Sequence, residues 1–189
     1  ENRIQDFIGL RQLTRRLPLE WYWQNNKLEI SSGRELLSTL SDICDKVYFH
    51  APRIKNELVN RHSISSSAAA ARMRLIERML TAASKPFLGM EPNKKPPEMS
   101  MYLSLLKASG IHKQSGNDWV TDIPSSKKED TCNIIPTHRK MEEIVKRKPD
   151  CKVPILEIFN TLKKPPFGVR DGIVPILLAI FVIANQNEI

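Results

Sequence analysis

The chain has 189 residues, 41% of them hydrophobic, with 29 Lys and Arg against 21 Asp and Glu for a net charge of +8. That is enough apolar content and length for one large domain or two small ones with real cores, so the chain is expected to fold. The longest apolar run, Ile173 to Ala184, is twelve residues, whereas a membrane span needs roughly 20, so no membrane partner is expected.

The positive charge is spread rather than gathered in a tail: 14 basic and 9 acidic residues precede and include Met90, and 15 and 12 follow it. A basic chain of this kind permits contact with nucleic acid, although a solvated surface explains the same excess. Cys44, Cys132 and Cys151 form no C-x-x-C, and no charged-then-apolar leader opens the chain, which reads as cytoplasmic with free thiols. Glu1 stands first, and Ile189 follows directly on the last helical pattern. The chain is therefore expected to be a piece of a longer protein.

Taken in order, Ile4, Phe7, Ile8 and Leu10 fit a short helix that Pro18 stops. Trp21-Tyr22-Trp23, with Leu28 and Ile30 around Asn25-Asn26-Lys27, reads as an extended or hairpin element. Its aromatics are read as packing against a helical body, with a platform for stacked bases as the alternative. Ser32-Gly33-Arg34-Glu35 is a capping box, in which Ser32 accepts from an early helix N–H and Glu35 reaches back to the Ser32 N–H. Leu36, Leu37, Leu40, Ile43, Cys44, Val47 and Tyr48 then repeat at helical spacing up to the stop at Ala51-Pro52, which makes Cys44 a small core residue. A short helix follows from Arg53 with Ile54 and Leu58 inward, and the serines from Ser63 to Ser67 supply candidate N-caps.

The best-marked helix runs from Ala68 to Ala83, with apolar residues at 68, 75, 76, 79, 80 and 83. Arg72 falls in the middle of that stripe, while Arg74 and Arg78 fall on the outer face. Either Arg72 snorkels, or it is held in a buried ion pair, for which Glu57 is the first candidate partner and Asp45 the second. The Pro/Lys-rich stretch 85–97 is the main break in composition and the expected boundary between an N-terminal helical part (1–90) and a C-terminal one (91–189). Beyond it a helix starts at Glu98, with Met99, Tyr102, Leu103 and Leu106 inward and Gly110 as its stop. Ser115 to Asp118 is a turn, and Trp119-Val120 a short apolar anchor. Another helix opens at Pro136-Thr137 and ends in Lys146-Arg147-Lys148.

The last two helices surround Lys163 to Asp171. Ile155, Ile158, Phe159 and Leu162 form one face of the first, which is the nearest candidate to cover the second. Gly168 and Gly172 let the chain turn, Asp171 is the candidate N-cap, and Pro175 is tolerated in the first turn. A helix that is apolar on nearly all faces must be covered all round.

No phosphate-cradling glycine motif is present, and His50, His62, His112 and His138 are scattered without zinc spacing, so no catalytic residue, cofactor or metal site is assigned. The candidate phosphate-binding groups are Arg139, Lys140, Lys146, Arg147, Lys148, Lys163, Lys164 and Arg170. A helix, a glycine-containing turn and a second helix are the ingredients of a helix-turn-helix, but the second helix is too apolar to read bases. The fold expected is mainly α, a multi-helix bundle with a C-terminal helix-turn-helix or winged-helix-like unit and little strand.

Three stretches, 34–61, 63–80 and 163–189, carry a resemblance beyond these patterns. Their order, RELLSTLSDICDKVYFHAPRIKNELVNR, then SISSSAAAARMRLIERML, then KKPPFGVRDGIVPILLAIFVIANQNEI, resembles a helical region of very large bacterial phage-defence P-loop ATPases, the BREX-type ATPase proteins and their relatives. The resemblance implies an ATPase-associated helical module of a larger chain or complex that acts on or near DNA; with the catalytic motifs missing, the module is expected to be non-catalytic, to contact other parts of that complex or the DNA backbone, and to take no small-molecule substrate. It transfers no catalytic residue, because the Walker loops are absent from this sequence. A self-contained winged-helix-like DNA-binding regulator is the alternative.

Overall fold

The structure is a computed structural model that describes residues 20–60, 63–147 and 152–186. The helix expected over Ile4 to Leu17 lies outside the described residues, as do His62, Lys148 and Cys151. The described chain is mainly helical, with two small two-stranded sheets. It forms two compact units, one ending at Val47 and the other beginning at Tyr48.

In the first unit, β1 (Trp21–Trp23) and β2 (Asn26–Leu28) pair antiparallel, with Trp21 opposite Leu28. The turn is made by Gln24 and Asn25, both at positive φ, which suits a two-residue hairpin loop. Helix α1 (Gly33–Val47) starts where the capping box predicts. The Glu35 N–H donates to Ser32 Oγ at 3.2 Å, but the Glu35 carboxylate reaches one residue further back, to the Ser31 N–H and hydroxyl, both at 2.7 Å. Of the apolar stripe only Leu36 is buried; Leu37, Leu40 and Cys44 are exposed, so Cys44 is not a core residue.

The second unit holds α2 (Glu57–Asn60), α3 (Ser66–Thr81), α4 (Pro97–Met101), the hairpin β3 (His112–Ser115) and β4 (Asp118–Thr121), then α5 (Ile135–Lys146), α6 (Ile155–Lys163) and α7 (Val174–Ala184). Helix α2 is shorter than expected, and Val59 rather than Leu58 is its buried residue. Ser65 caps α3 by accepting from the Ala68 N–H at 3.3 Å, and Ala68, Ala71, Leu75 and Met79 form its buried face. Helix α4 continues as a π-helical turn over Tyr102–Lys107, so that the Ala108 N–H reaches the Leu103 carbonyl at 3.1 Å. The wider turn shifts the helical phase. Met101 and Leu105 go inward with Met99, Tyr102 and Leu106, and Leu103 faces water. The turn expected at 115–118 joins two strands, β3 and β4, with His112 opposite Thr121.

The Pro/Lys-rich stretch 85–97, the expected boundary, lies within the second compact unit, where side chains hold it to α3. Leu88 is fully buried from a left-handed turn, with φ of 51° at Phe87 and 52° at Leu88. Arg78 reaches the Leu88 carbonyl at 3.4 Å. Glu98, at the start of α4, accepts both arms of the Arg74 guanidinium, from Nε at 3.0 Å and from Nη2 at 2.9 Å. The Arg74 fork holds the Glu98 carboxyl below its ordinary range although burial opposes it.

Helix α7 is buried as its composition demands, with Val174, Ile176, Leu177, Ala179, Ile180 and Phe181 in one continuous core. It packs chiefly on α3, and also on α5 and β4, while α6 packs on α5. The neighbour in sequence is thus not the main cover. Asp171 does not cap α7: its carboxylate pairs with Lys163, and Ile173 occupies the N-cap position. Gly172 is required by close approach, since a Cβ there would stand 2.3 Å from the Val59 carbonyl oxygen. Gly168 is at φ 57° with Tyr48 against it, so both its backbone and its missing side chain are used.

Arg72 makes no ion pair with Glu57 among the described residues. Its Nη1 donates to the carbonyls of Asp171 and Gly172 at 3.3 and 3.4 Å, its Nε is buried without a partner, and Glu57 is exposed. The turn before α7 presents main-chain acceptors at the height of Arg72, so the guanidinium is met by dipoles rather than by a carboxylate. The arginine that does grip a buried acid is Arg74, on the face expected to be outermost.

Candidate nucleic-acid interface

Helix α5 places the first of the candidate basic groups. Its start is fixed by Asp130, whose two carboxylate oxygens accept the N–H groups of Ile134 and Ile135 at 2.7 and 2.8 Å. This supplies the partners that the first turn otherwise lacks. Met141 and Ile144 bind the helix to the core, which turns Arg139, Glu143 and Lys146 outward.

The eight groups do not form one surface of free cations. Lys140 donates to Glu143 at 2.8 Å, and Arg147 pairs with the same carboxylate, whose pKa is lowered, chiefly by the Lys140 hydrogen bond. Lys163 is paired with Asp171, and the Arg170 guanidinium donates to the Asn60 carbonyl. Arg139, Lys146 and Lys164 are exposed. Lys148 lies outside the described residues.

What the structure does bring together is a cleft of about 600 Å³ beside the start of α5, lined by Arg139 and Lys140 of that helix and by Lys127 of the loop before it. Phe49, His50 and Phe167 are also among its lining residues. Phe49 and His50 stand with ring centres 4.3 Å apart, and His50 lies 5.7 Å from Phe167. Phe49 is 59% exposed, whereas Phe167 is buried. Asn133 holds the Phe49 loop by donating from Nδ2 to the carbonyls of Ala51 at 3.0 Å and Phe49 at 3.4 Å. The His50 N–H donates to the Pro166 carbonyl at 3.1 Å, and the Arg53 N–H to that of Cys132 at 2.7 Å. Three segments far apart in sequence are therefore tied at the backbone.

Sequence reasoning found Arg139 and Lys140 and missed Phe49, His50, Lys127, Asn133 and Phe167. No local motif joins residues 49 and 167, and Lys127 stands in the polar stretch Ser125 to Thr131, which carries no motif. The one local sign was Asn133, whose φ of 54° is a conformation that asparagine tolerates better than most residues.

Three further titratable groups, Tyr102, His112 and Cys132, are buried in the core. Tyr102 and His112 are hydrogen-bonded at 2.9 Å between Oη and Nδ1, and His112 Nε2 lies 2.9 Å from the Ala83 carbonyl. The carbonyl can only accept, so Nε2 carries the proton and the Tyr102 hydroxyl donates to Nδ1. Burial pushes the Tyr102 pKa up to about 12 and that of His112 down. Burial likewise raises the Cys132 thiol. Among the described residues no group of three or more His, Cys, Asp or Glu is placed to hold a metal ion, and no helix is long and apolar enough to cross a membrane. No known family, curated protein or solved structure matches the chain.

Proposed function

We propose that this chain is a non-catalytic helical module of a larger bacterial defence-type ATPase, and that it contacts nucleic acid through the phosphate backbone. The observation that carries the reading is the cleft that Lys127 and Arg139 line together with the exposed ring of Phe49. A cation pair of this kind supplies charge without directional base readout, which is the character of sequence-independent binding. The exposed Leu37 and Leu40 of α1 suit a contact with another part of a larger assembly. The resemblance in stretches 34–61, 63–80 and 163–189 supplies the ATPase context, and the nucleotide chemistry then belongs to other parts of that protein.

The winged-helix-like regulator keeps one observation in its favour. Helix α3, helix α4 and the β3–β4 hairpin follow one another in the order of such a unit, which lies ahead of the Lys163–Ala184 segment. Two features weigh against base recognition by it. The single cation on the outer face of the α4 continuation, Lys107, stands 5.1 Å over the Phe87 ring. Helix α7, the second helix of the C-terminal pair, exposes only Val182 and is otherwise buried or half-buried.

Fluorescence anisotropy with several duplexes of unrelated sequence tests the proposal. Binding is expected to be weak, equal across sequences, and to fall with salt at a slope of about −2 in log K against log salt, roughly −0.9 for each of two phosphates met. Arg139→Glu should remove most of it. Tight binding to one sequence that survives raised salt would instead establish the regulator. ATP turnover by the purified chain above a heat-killed control would overturn the non-catalytic reading.

A further inference from the structure

We infer that the cleft between the Phe49 loop and α5 receives one unpaired nucleotide, its base stacked on Phe49 and its phosphate held by Arg139 and Lys127. The inference rests on the nucleic-acid reading above and adds the form of the ligand.

Shape argues first. A recess of about 600 Å³ is of the size that encloses a small organic group. The bases of a duplex are stacked inside it and cannot enter such a recess, whereas a splayed base can. Chemistry argues next. A base presents a π face of any sequence and a phosphate at a fixed remove, and single-strand sites meet these with an aromatic side chain beside cations. Here Phe49 offers an exposed ring beside His50, which lies in turn beside Phe167, and Arg139 and Lys127 line the same recess.

Charge bookkeeping within the cleft is favourable as well. Its two carboxylates are already engaged, Asp130 by the N–H groups of Ile134 and Ile135, and Glu143 by Lys140 and Arg147. Neither is left to repel a phosphate at full strength, and Arg139 and Lys127 remain as the cations available to it. Order argues last. The ring that faces water is carried on a loop whose carbonyls are clamped by Asn133 and whose next N–H is bound by Pro166. A platform fixed in advance loses little entropy when a base stacks on it.

The test uses the full chain with fluorescein-labelled (dT)12, the matching 12-base-pair duplex, and dTMP as competitor, at about 50 mM salt where phosphate contacts are strong. The single strand is expected to bind more tightly than the duplex. Phe49→Ala, which alters an exposed residue and should leave the circular dichroism spectrum unchanged, is expected to weaken the strand by roughly tenfold, the scale of one stacked base. It should leave the duplex unaffected, and Phe49→Trp should restore the strand. Arg139→Glu should weaken both. Strand affinity far above that of dTMP assigns the site to a nucleic-acid strand, and equal affinities assign it to a free nucleotide; base stacking stands in either case. Equal binding of strand and duplex, indifferent to Phe49→Ala but sensitive to Arg139→Glu, would overturn this inference while leaving backbone contact intact. Absence of binding by all three ligands would overturn both.

Discussion

Helices α1 and α7 both carry large apolar residues, sparsely in α1 and densely in α7, and meet different fates. In α1 the apolar residues repeat along one stripe, yet Leu37 is 54% exposed and only Leu36 is buried. In α7 they occupy nearly every position, and Leu177 is 1% exposed. A striped helix can rest in water on its polar face, so its pattern states which side would be covered and not that anything covers it. A helix without a polar face has no such resting position, and the fold must enclose it. The difference teaches that apolar periodicity specifies orientation, whereas apolar continuity specifies burial.

Truncation is the largest test of that contrast. Leu177→Ala in α7 should cost about 2–5 kcal/mol, because the lost side chain leaves a cavity in a packed core. Leu37→Ala in α1 should stay within about 0.5 kcal/mol, as surface changes do. Denaturant midpoints at constant m-value measure both. Equal losses would mean that the α1 stripe is covered in solution and would erase the comparison.

The cover over α7 is held in place by α3, and α3 is in turn held to α4 by the Arg74–Glu98 fork. Arg74→Met strands the Glu98 carboxylate, which is only 6% exposed, without its guanidinium. The Arg74 end lies in water, so screening softens the loss. The expected result is a midpoint clearly lower than wild type, by less than Leu177→Ala, with Arg74→Lys recovering part because it returns the charge but not the fork. An unchanged midpoint would show that α3 and α4 need no ionic clamp.

A smaller and pH-dependent effect comes from the contact between α7 and α5. His138 on α5 lies with its ring 5.2 Å from Phe181, and its Nε2 accepts from Asn185 Nδ2 at 3.1 Å. Burial lowers its pKa even though Glu142 and Asp122 pull the other way, and burial lowers that of His112 also. A group whose pKa is depressed on folding favours the unfolded state once it is protonated there. Stability should therefore be full above the ordinary value of 6.5 and decline as the pH falls from there toward the depressed folded values. Glu98 follows the same sign lower down, keeping its contribution above 4.5 and losing it as the pH falls through its lowered value. Thermal midpoints between pH 7.5 and 3 should show two successive declines. A flat profile from pH 7.5 to 5 would mean that the histidines can be charged without disturbing the packing around α7.

Much of this fold was legible because propensity, capping and apolar spacing agree. Ser65 caps α3 among the expected serines, the Trp21 hairpin forms around asparagine, and α7 is enclosed. The failures are places where tertiary contact outweighs local pattern. The π-helical turn exchanges Leu103 for Leu105, and the stretch 85–97 is pinned to α3 despite its prolines. The β3–β4 hairpin brings His112 to Tyr102 through a segment too polar to read as strand. Half of the cleft was legible, since the cations on α5 follow from one helix. The aromatic lining was not, because it exists only when residues 49 and 167 meet.

Arg72 gives the smallest and most discriminating test, because its contacts lie at the entrance to α7. A buried ion pair broken on one side costs about 3–5 kcal/mol. The contacts found are two hydrogen bonds of 3.3 and 3.4 Å to main-chain carbonyls, at the long end of useful geometry, and an Nε that finds no partner. Each bond contributes about 0.5–1.5 kcal/mol at best, and a buried orphan donor costs about 1–3 kcal/mol, so the terms nearly cancel. Burial also lowers the Arg72 pKa, with no carboxylate opposing it. Arg72→Met keeps a long apolar stem along α3 and removes the orphan donor together with the two bonds. Its denaturant midpoint should therefore lie close to wild type, within about 1 kcal/mol, and Glu57→Gln should change nothing. A loss of several kcal/mol in Arg72→Met, matched by Glu57→Gln and absent from the double variant's further loss, would restore the ion pair and put a carboxylate, rather than the Asp171–Gly172 turn, at the mouth of the buried helix.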